Sequence, residues 1–118
     1  MSSKPRQWKF RIRHILDAIA ENSSYVRGMT YGDFCADSKT MKAIVWNLVI
    51  IGEAARLIPS DIEEAYRDIP WTQIRGMRNH IVHGYDQVDA EIVWNVIQTE
   101  LPLLVPIFER LLREADES

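Results

Sequence analysis

Met41-Lys42-Ala43-Ile44-Val45-Trp46-Asn47-Leu48-Val49-Ile50-Ile51-Gly52-Glu53-Ala54-Ala55 is the stretch that decides how this chain folds. Its larger stripe, Met41, Ile44, Val45, Leu48, Ile51, Ala55 and Ile58, keeps the three-and-four spacing of one helix face. The longest apolar run, Ala43 to Ile51, is interrupted by Asn47 and falls far short of the roughly 20 residues that span a bilayer. The stretch is therefore a core helix of a water-exposed bundle. Asp37 or Ser38 is placed to cap it, and Pro59 to stop it, which predicts a helix from about Lys39 to Leu57.

The same periodicity extends in both directions. Upstream, Trp8, Ile12, Ile15, Leu16 and Ile19 predict a first helix from about Pro5 to Glu21, with Asn22-Ser23-Ser24 ending it. Thr30 to Asp37 reads as a loop or a single turn. Downstream, Ser60-Asp61-Ile62-Glu63 has the pattern of a capping box opening a short helix. Pro70 suits the start of a further helix, expected from Trp71 to His83 and ended by Gly84. Asp89 should begin the last helix, which carries Ile92, Val93, Val96, Ile97, Leu101, Leu104, Ile107, Phe108, Leu111 and Leu112. Pro102 and Pro106 should bend that helix without ending its pattern. The expectation is an all-α bundle of four main helices and one short one, a single domain over residues 1–118.

Composition narrows the setting. Apolar residues make up 47% and charged residues 26% of the 118, the balance of an ordinary globular domain. The basic N-terminus lacks the apolar stretch of a secretory signal. The one cysteine, Cys35, can form no internal disulfide or zinc cage and is expected to be a small buried or half-buried side chain, consistent with a reducing cytoplasm. The net charge of −3 argues against a broad, nonspecific grip on nucleic acid. It hides an asymmetry, since Lys4, Arg6, Lys9, Arg11 and Arg13 all precede the first acid, Asp17. The remainder holds nine bases against seventeen acids. The first helix and the Arg75/Arg78 pair are thus the candidate cationic surfaces, for RNA or for an acidic protein.

The chemistry is concentrated in Arg78-Asn79-His80-Ile81-Val82-His83-Gly84-Tyr85. A guanidinium grips phosphate oxygens in a fork, and an imidazole exchanges a proton near neutral pH. Together they are what phosphodiester cleavage needs. On a continuous helix Asn79 and His83 share a face, whereas Arg78 and His83 lie roughly 140° apart. Convergence of Arg78, His83 and Tyr85 on one phosphate therefore requires the helix to fray near Gly84. Metal-free cleavage by a 2′-hydroxyl needs both a base and an acid. His83 fills one role, and the other falls to His80, Tyr85 or a second subunit, which makes a symmetric dimer chemically attractive. His80 and His83 are poor candidates for a metal pair, because no third or fourth ligand stands nearby. Structural readings stay open beside these: His83 can serve the negative end of its helix, and Arg78 can pair with Glu53 or Asp86.

Arg78 to Tyr85 resembles the RxxxxHxY signature of the HEPN superfamily, with polar Asn79 directly after the arginine. Ile51-Gly52-Glu53-Ala54-Ala55, Ile69-Pro70-Trp71, Val88-Asp89 and Glu91-Ile92-Val93-Trp94 resemble segments of its HepT-like branch, so the likeness runs from about Met41 to Leu104. The resemblance implies a helical bundle that dimerises with two motifs in a shared cleft. It implies metal-independent endoribonuclease activity, with Arg78 holding the scissile phosphate, His83 in acid–base catalysis and Asn79 orienting phosphate or ribose. It further implies a toxin of a toxin–antitoxin pair, partnered by an MNT-type minimal nucleotidyltransferase. That antitoxin would mask the toxin or nucleotidylate the Tyr85 hydroxyl. No cofactor of the chain's own is implied, ATP serving as donor to the partner. His80 is an extra histidine within the signature. The alternative is a non-catalytic HEPN module that binds RNA, a nucleotide or the nucleotidyltransferase.

Glu53 stands apart, a carboxylate in an apolar helix beside a glycine that would admit another backbone. It is expected to face the motif helix and support it by pairing with Arg78 or the Tyr85 hydroxyl. An exposed pair with Arg56 is the competing expectation.

Overall fold

The longest helices form because their apolar stripes bury against one another, and the computed structural model, which describes residues 4–84 and 87–117 and the side chains of residues 7–81 and 87–116, is all-α as expected. Helix α1 spans Lys4–Tyr25, α2 Tyr31–Ala36, α3 Ser38–Arg56, α4 Ser60–Ala65, α5 Trp71–Arg75 and α6 Met77–Ile81. A small hairpin follows, β1 Val82–Gly84 antiparallel to β2 Gln87–Val88. The chain closes with α7 Ala90–Asn95, one turn of π-helix over Val96–Glu100, and α8 Leu101–Glu117.

Helices α1 and α3 pack along their lengths, with α8 across α1 and α5 and α6 along the other flank of α3. Ile12 and Ile15 of α1, Ile44, Leu48 and Ile51 of α3 and Phe108 and Leu111 of α8 meet in one core, each fully buried. Between α1 and α3 this core holds two buried amides. Asn47 donates to Asn22 Oδ1 at 3.0 Å and to Glu21 Oε1 at 3.1 Å, while Asn22 donates to the Ile44 carbonyl at 3.4 Å. These bonds satisfy the polar interruption in the apolar run and tie the C-terminal part of α1 to the middle of α3.

Several boundaries depart from expectation for local reasons. Helix α1 continues to Tyr25, and the Ser24 hydroxyl donates to the Glu21 carbonyl at 2.7 Å instead of ending the helix. Gly28, at φ 81, then turns the chain in the left-handed region open to glycine. The expected loop at Thr30 is a helix start: Thr30 Oγ1 accepts from Asp33 N and Asp33 accepts from Thr30 N, both at 3.0 Å. Cys35 is exposed on that short helix, not buried. Asp37 caps α3, accepting from Thr40 N at 3.0 Å. Ser60 does not close a capping box, because Pro59 occupies the cap position and Ser60 is already helical. Asp89 caps α7 as expected, accepting from Ile92 N at 3.1 Å. Ahead of the prolines, where a bend was expected, the helix widens into one π-helical turn. Leu101 N reaches back to the Val96 carbonyl, a π-helical bond that makes room ahead of Pro102, whose ring would otherwise crowd the preceding turn.

Candidate functional site

The motif segment was expected to be one helix from Trp71 to His83 and is instead three pieces. Gly76 separates α5 from α6, and α6 ends at Ile81, where the Ile81 carbonyl accepts from Asp89 N at 2.8 Å and the chain enters the hairpin. His83 is therefore the middle residue of β1 and not the last turn of a helix. The helical argument that placed Asn79 and His83 on one face no longer applies, and neither does the 140° separation of Arg78 from His83. Tyr85, the candidate modification site, lies outside the described residues, as does Asp86.

Close packing positions α5 and α6 against α3. A Cβ on Gly52 would sit 3.2 Å from the Ile74 carbonyl oxygen and 3.5 Å from that of Arg75, so the backbone at the α5–α6 junction rests directly on α3. Trp71, Ile74, Met77 and Ile81 are buried and anchor the segment, and Trp71 Nε1 donates to the Tyr66 carbonyl at 3.0 Å. Arg78, Asn79 and His80 are all exposed. Arg78 Nη1 donates to Asn79 Oδ1 at 3.4 Å, which joins the two polar residues of the motif into one donor surface. The Arg75/Arg78 cationic pair is divided: Arg75 forms an ion pair with Glu63 and leaves Arg78 as the arginine presented by α6.

His80 faces elsewhere. It lines an apolar groove of 630 Å³ together with Ile74, Met77, Leu101 and Leu103, between the motif helix and α8. Two positions on a helix are about 200° apart, so Arg78 projects from the opposite side of α6. The expected Glu53–Arg78 pairing is not formed. Glu53 Oε2 lies 3.3 Å from Arg56 Nε, with the Glu53 side chain 65% exposed, because its position on α3 turns it outward and gives it the neighbour one turn along. Among the described residues no three His, Cys, Asp or Glu side chains converge as a metal site, and no helix is long and apolar enough to cross a membrane. Reading the residues alone missed the groove, whose signal was Leu101, Leu103 and Leu104 flanking Pro102 on more than one side of the helix.

The sequence matches the Ribonuclease HepT-like family over residues 15–111. It is 34% identical over 106 residues to "Probable ribonuclease HepT" of Thermococcus cleftensis, covering 90% of this chain and 96% of the relative. It is 33% identical over 103 residues to "Putative RNase TTE0752" of Caldanaerobacter subterraneus subsp. tengcongensis, covering 87% and 92%. No solved structure matches the chain. With most of its length, and the whole of the α3-to-hairpin region that carries the motif, inside the match, the chain belongs to the HepT-like ribonuclease family.

Proposed function

We propose that the chain is a metal-independent endoribonuclease acting as the toxin of a toxin–antitoxin pair. The observation that carries this reading is the exposed Arg78–Asn79 donor surface, set in a helix that stops two residues before His83, within a family of ribonucleases. Arg78 would hold two oxygens of the scissile phosphate with its fork of N–H donors, and Asn79 would orient the phosphate or the ribose beside it. One imidazole would take the proton from the 2′-hydroxyl as that oxygen attacks phosphorus. A second proton donor would protonate the departing 5′-oxygen, leaving a 2′,3′-cyclic phosphate.

His83 fills one of these roles. The place of His80 in the groove, away from Arg78, weighs against it as the second, and favours Tyr85 or a second copy of the chain in a homodimer. A nucleotidyltransferase antitoxin would silence the enzyme by covering this surface or by adding AMP to Tyr85. The added phosphodiester would bring a negative charge to compete with RNA for Arg78.

The test is cleavage of a purified tRNA pool in EDTA by the parent and by His83→Ala. Cutting that requires His83, needs no metal and leaves cyclic phosphate ends is the expected result. A parent with unmodified intact mass that leaves the RNA whole would move the assignment to a non-catalytic binding module.

A further inference from the structure

A polyanionic substrate needs several cations within reach, and several of those in the body of this chain are already engaged. Arg56 pairs with Glu53, Arg75 with Glu63, and Arg110 with Asp68 and Glu114. After Arg13 the chain carries nine bases against seventeen acids. The first half of α1 is the exception. It holds Lys4, Arg6, Lys9, Arg11 and Arg13 and no acid. Among the described side chains there, only Lys9 meets a carboxylate, that of Asp116 on α8 at 3.2 Å.

The helix sorts these residues by angle. Trp8, Ile12, Ile15 and Ile19 are buried and turn one side of α1 into the core. Arg6, Phe10, Arg13 and His14 fall within an arc of about 100° on the opposite side. Arg13 is exposed there. Phe10 is 53% exposed, with its ring centroid 4.3 Å from that of His14. A phenyl ring half in water has no polar atom to account for it, unlike the exposed Tyr25, Tyr31 and Trp46. Further along the same arc come Asp17 and Glu21, so the cationic stripe ends with His14.

We propose that the outward stripe of α1 from Arg6 to His14 is a second RNA-binding surface, which takes a single-stranded segment of the substrate outside the cleavage site. RNA as the ligand rests on the function proposed above; the cleavage chemistry does not enter. One base stacks on the open face of the Phe10–His14 pair, a contact that any base can make because each has a π-face. Arg13 lies about one turn beyond Phe10 and Arg6 about one turn before it, which suits phosphates on both sides of the stacked base. A duplex would keep its bases from the rings, so the segment is single-stranded. An acidic protein would answer the cations and leave the rings without use. An anionic membrane calls for a broad apolar face, and this stripe has one phenylalanine. Helix α1 lies on one flank of α3 and the motif helix α6 on the other, so the stripe adds affinity without touching the chemical step at Arg78.

Filter retention of a single-stranded RNA about 16 nucleotides long tests the stripe, with circular dichroism as the check on folding. Methylation of every 2′-oxygen keeps the RNA uncut, so binding is read apart from cleavage. Phe10→Ala should weaken binding about tenfold and leave its salt dependence unchanged, as loss of one stacked base would. Arg13→Gln should make the slope of log affinity against log salt shallower by about 0.7, as loss of one phosphate contact would. Phe10→Tyr should bind like the parent and Phe10→Leu like Phe10→Ala. Arg27→Gln, the same charge change at an exposed site past the far end of α1, should alter neither affinity nor slope. A parent that does not retain the RNA, a Phe10→Leu protein that binds like the parent, or an Arg27→Gln slope that falls as far as that of Arg13→Gln would overturn the proposal. Should Phe10→Ala lose its helicity, the two arginine variants decide. On unmodified RNA, Phe10→Ala should raise KM about tenfold at unchanged kcat, the mark of lost uniform binding. A parent that shows these binding signatures and cuts nothing keeps the stripe and counts against the ribonuclease reading. A parent that cuts RNA while Phe10→Ala and Arg13→Gln bind as it does keeps the ribonuclease and removes the stripe.

Discussion

Helix α3 and the motif segment start from the same helical periodicity and end differently. Helix α3 runs unbroken for 19 residues, whereas the motif segment breaks at Gly76 and again after Ile81. The difference lies in what holds each one. Helix α3 is capped by a carboxylate, buried along its inner side and gripped on both flanks. The motif segment has a proline at its start with no side-chain cap, a glycine in its middle, and one buried row, Trp71, Ile74, Met77 and Ile81. Propensity alone secures few helices of this length, and burial does the rest. The segment with less burial is the one left to present polar groups to solvent, and it carries the candidate site.

That contrast predicts opposite responses to substitution, and the largest belongs to the motif. Arg78→Ala should lower RNA cleavage by about 100-fold to 1000-fold, the usual cost of losing a donor aimed at developing charge. Its urea midpoint should barely move, since an exposed side chain away from special features contributes within about 0.5 kcal/mol. Arg78→Lys should recover part of the activity, keeping the charge but not the fork. An Arg78→Ala protein that loses stability instead of activity would make Arg78 a structural residue and erase the contrast.

Next come the contacts by which α3 holds its neighbours. Gly52→Val places branched carbon against the Ile74 and Arg75 carbonyls, where backbone cannot give way easily, and should cost about 2–3 kcal/mol in urea unfolding. Because the junction it displaces carries α6, cleavage should fall as well. Asn47→Ala removes the donor to the buried Asn22 Oδ1 and should cost about 1–3 kcal/mol while leaving the cleavage chemistry of the folded fraction intact. If Gly52→Val lowered stability and spared activity as Asn47→Ala is expected to, the junction would not position the motif.

The sequence made α3 legible because every signal there agrees: Asp37 to cap, an apolar stripe to bury, Pro59 to stop. The same holds for Asp89 at the head of α7. Where signals compete, tertiary context decided. Ser60-Asp61-Ile62-Glu63 has a capping-box pattern, yet Pro59 takes the cap, and Glu63 pairs with Arg75 instead of reaching back. Thr30 and Asp33 formed a box that a glycine between them made easy to overlook. For the site, the motif's position was legible and its geometry was not. Whether Arg78 and His83 share a helix depends on where that helix ends. The hairpin bond from Asp89 N to the Ile81 carbonyl, eight residues away, is a pairing that helical spacing does not announce. Which of its expected partners Glu53 takes, Arg56 and not Arg78, was open for a related reason, since it depends on how α3 is rotated in the bundle, a property of all its neighbours together.

Between α4 and α5 the contrast sharpens at smaller scale. The Glu63–Arg75 pair is half-buried, with side-chain exposures of 23% and 32%, and Glu63→Gln should cost about 0.5–1 kcal/mol at low salt and less at high salt. It should also release Arg75 as a second cation near Arg78, so apparent affinity for RNA should rise slightly. Unchanged binding by Glu63→Gln in filter retention at low salt would show that Arg75 lies outside the RNA's reach.

The smallest effect separates the two helix starts by pH. The Asp37 carboxyl accepts from Thr40 N at 3.0 Å and from the Thr40 hydroxyl at 2.8 Å, and these bonds hold its pKa below the ordinary carboxylate value. A depressed folded pKa means that, as pH falls, the unfolded chain takes up the proton first. The cap's contribution is therefore complete above the unfolded value, near pH 4, and drains away as pH falls through the folded one. Asp37→Asn keeps an acceptor for the Thr40 amide but has no proton to gain. Its stability at neutral pH should stay close to that of the parent, while its slope of stability against pH between pH 5 and 2 should be shallower. Pro70, at the head of the motif segment, has no titrating cap, so acid should loosen the start of α3 while leaving the start of α5 untouched. Amide exchange near Thr40 and Ile74 as pH is lowered would follow both ends at once, and equal acid sensitivity at the two would mean that the cap is not what distinguishes them.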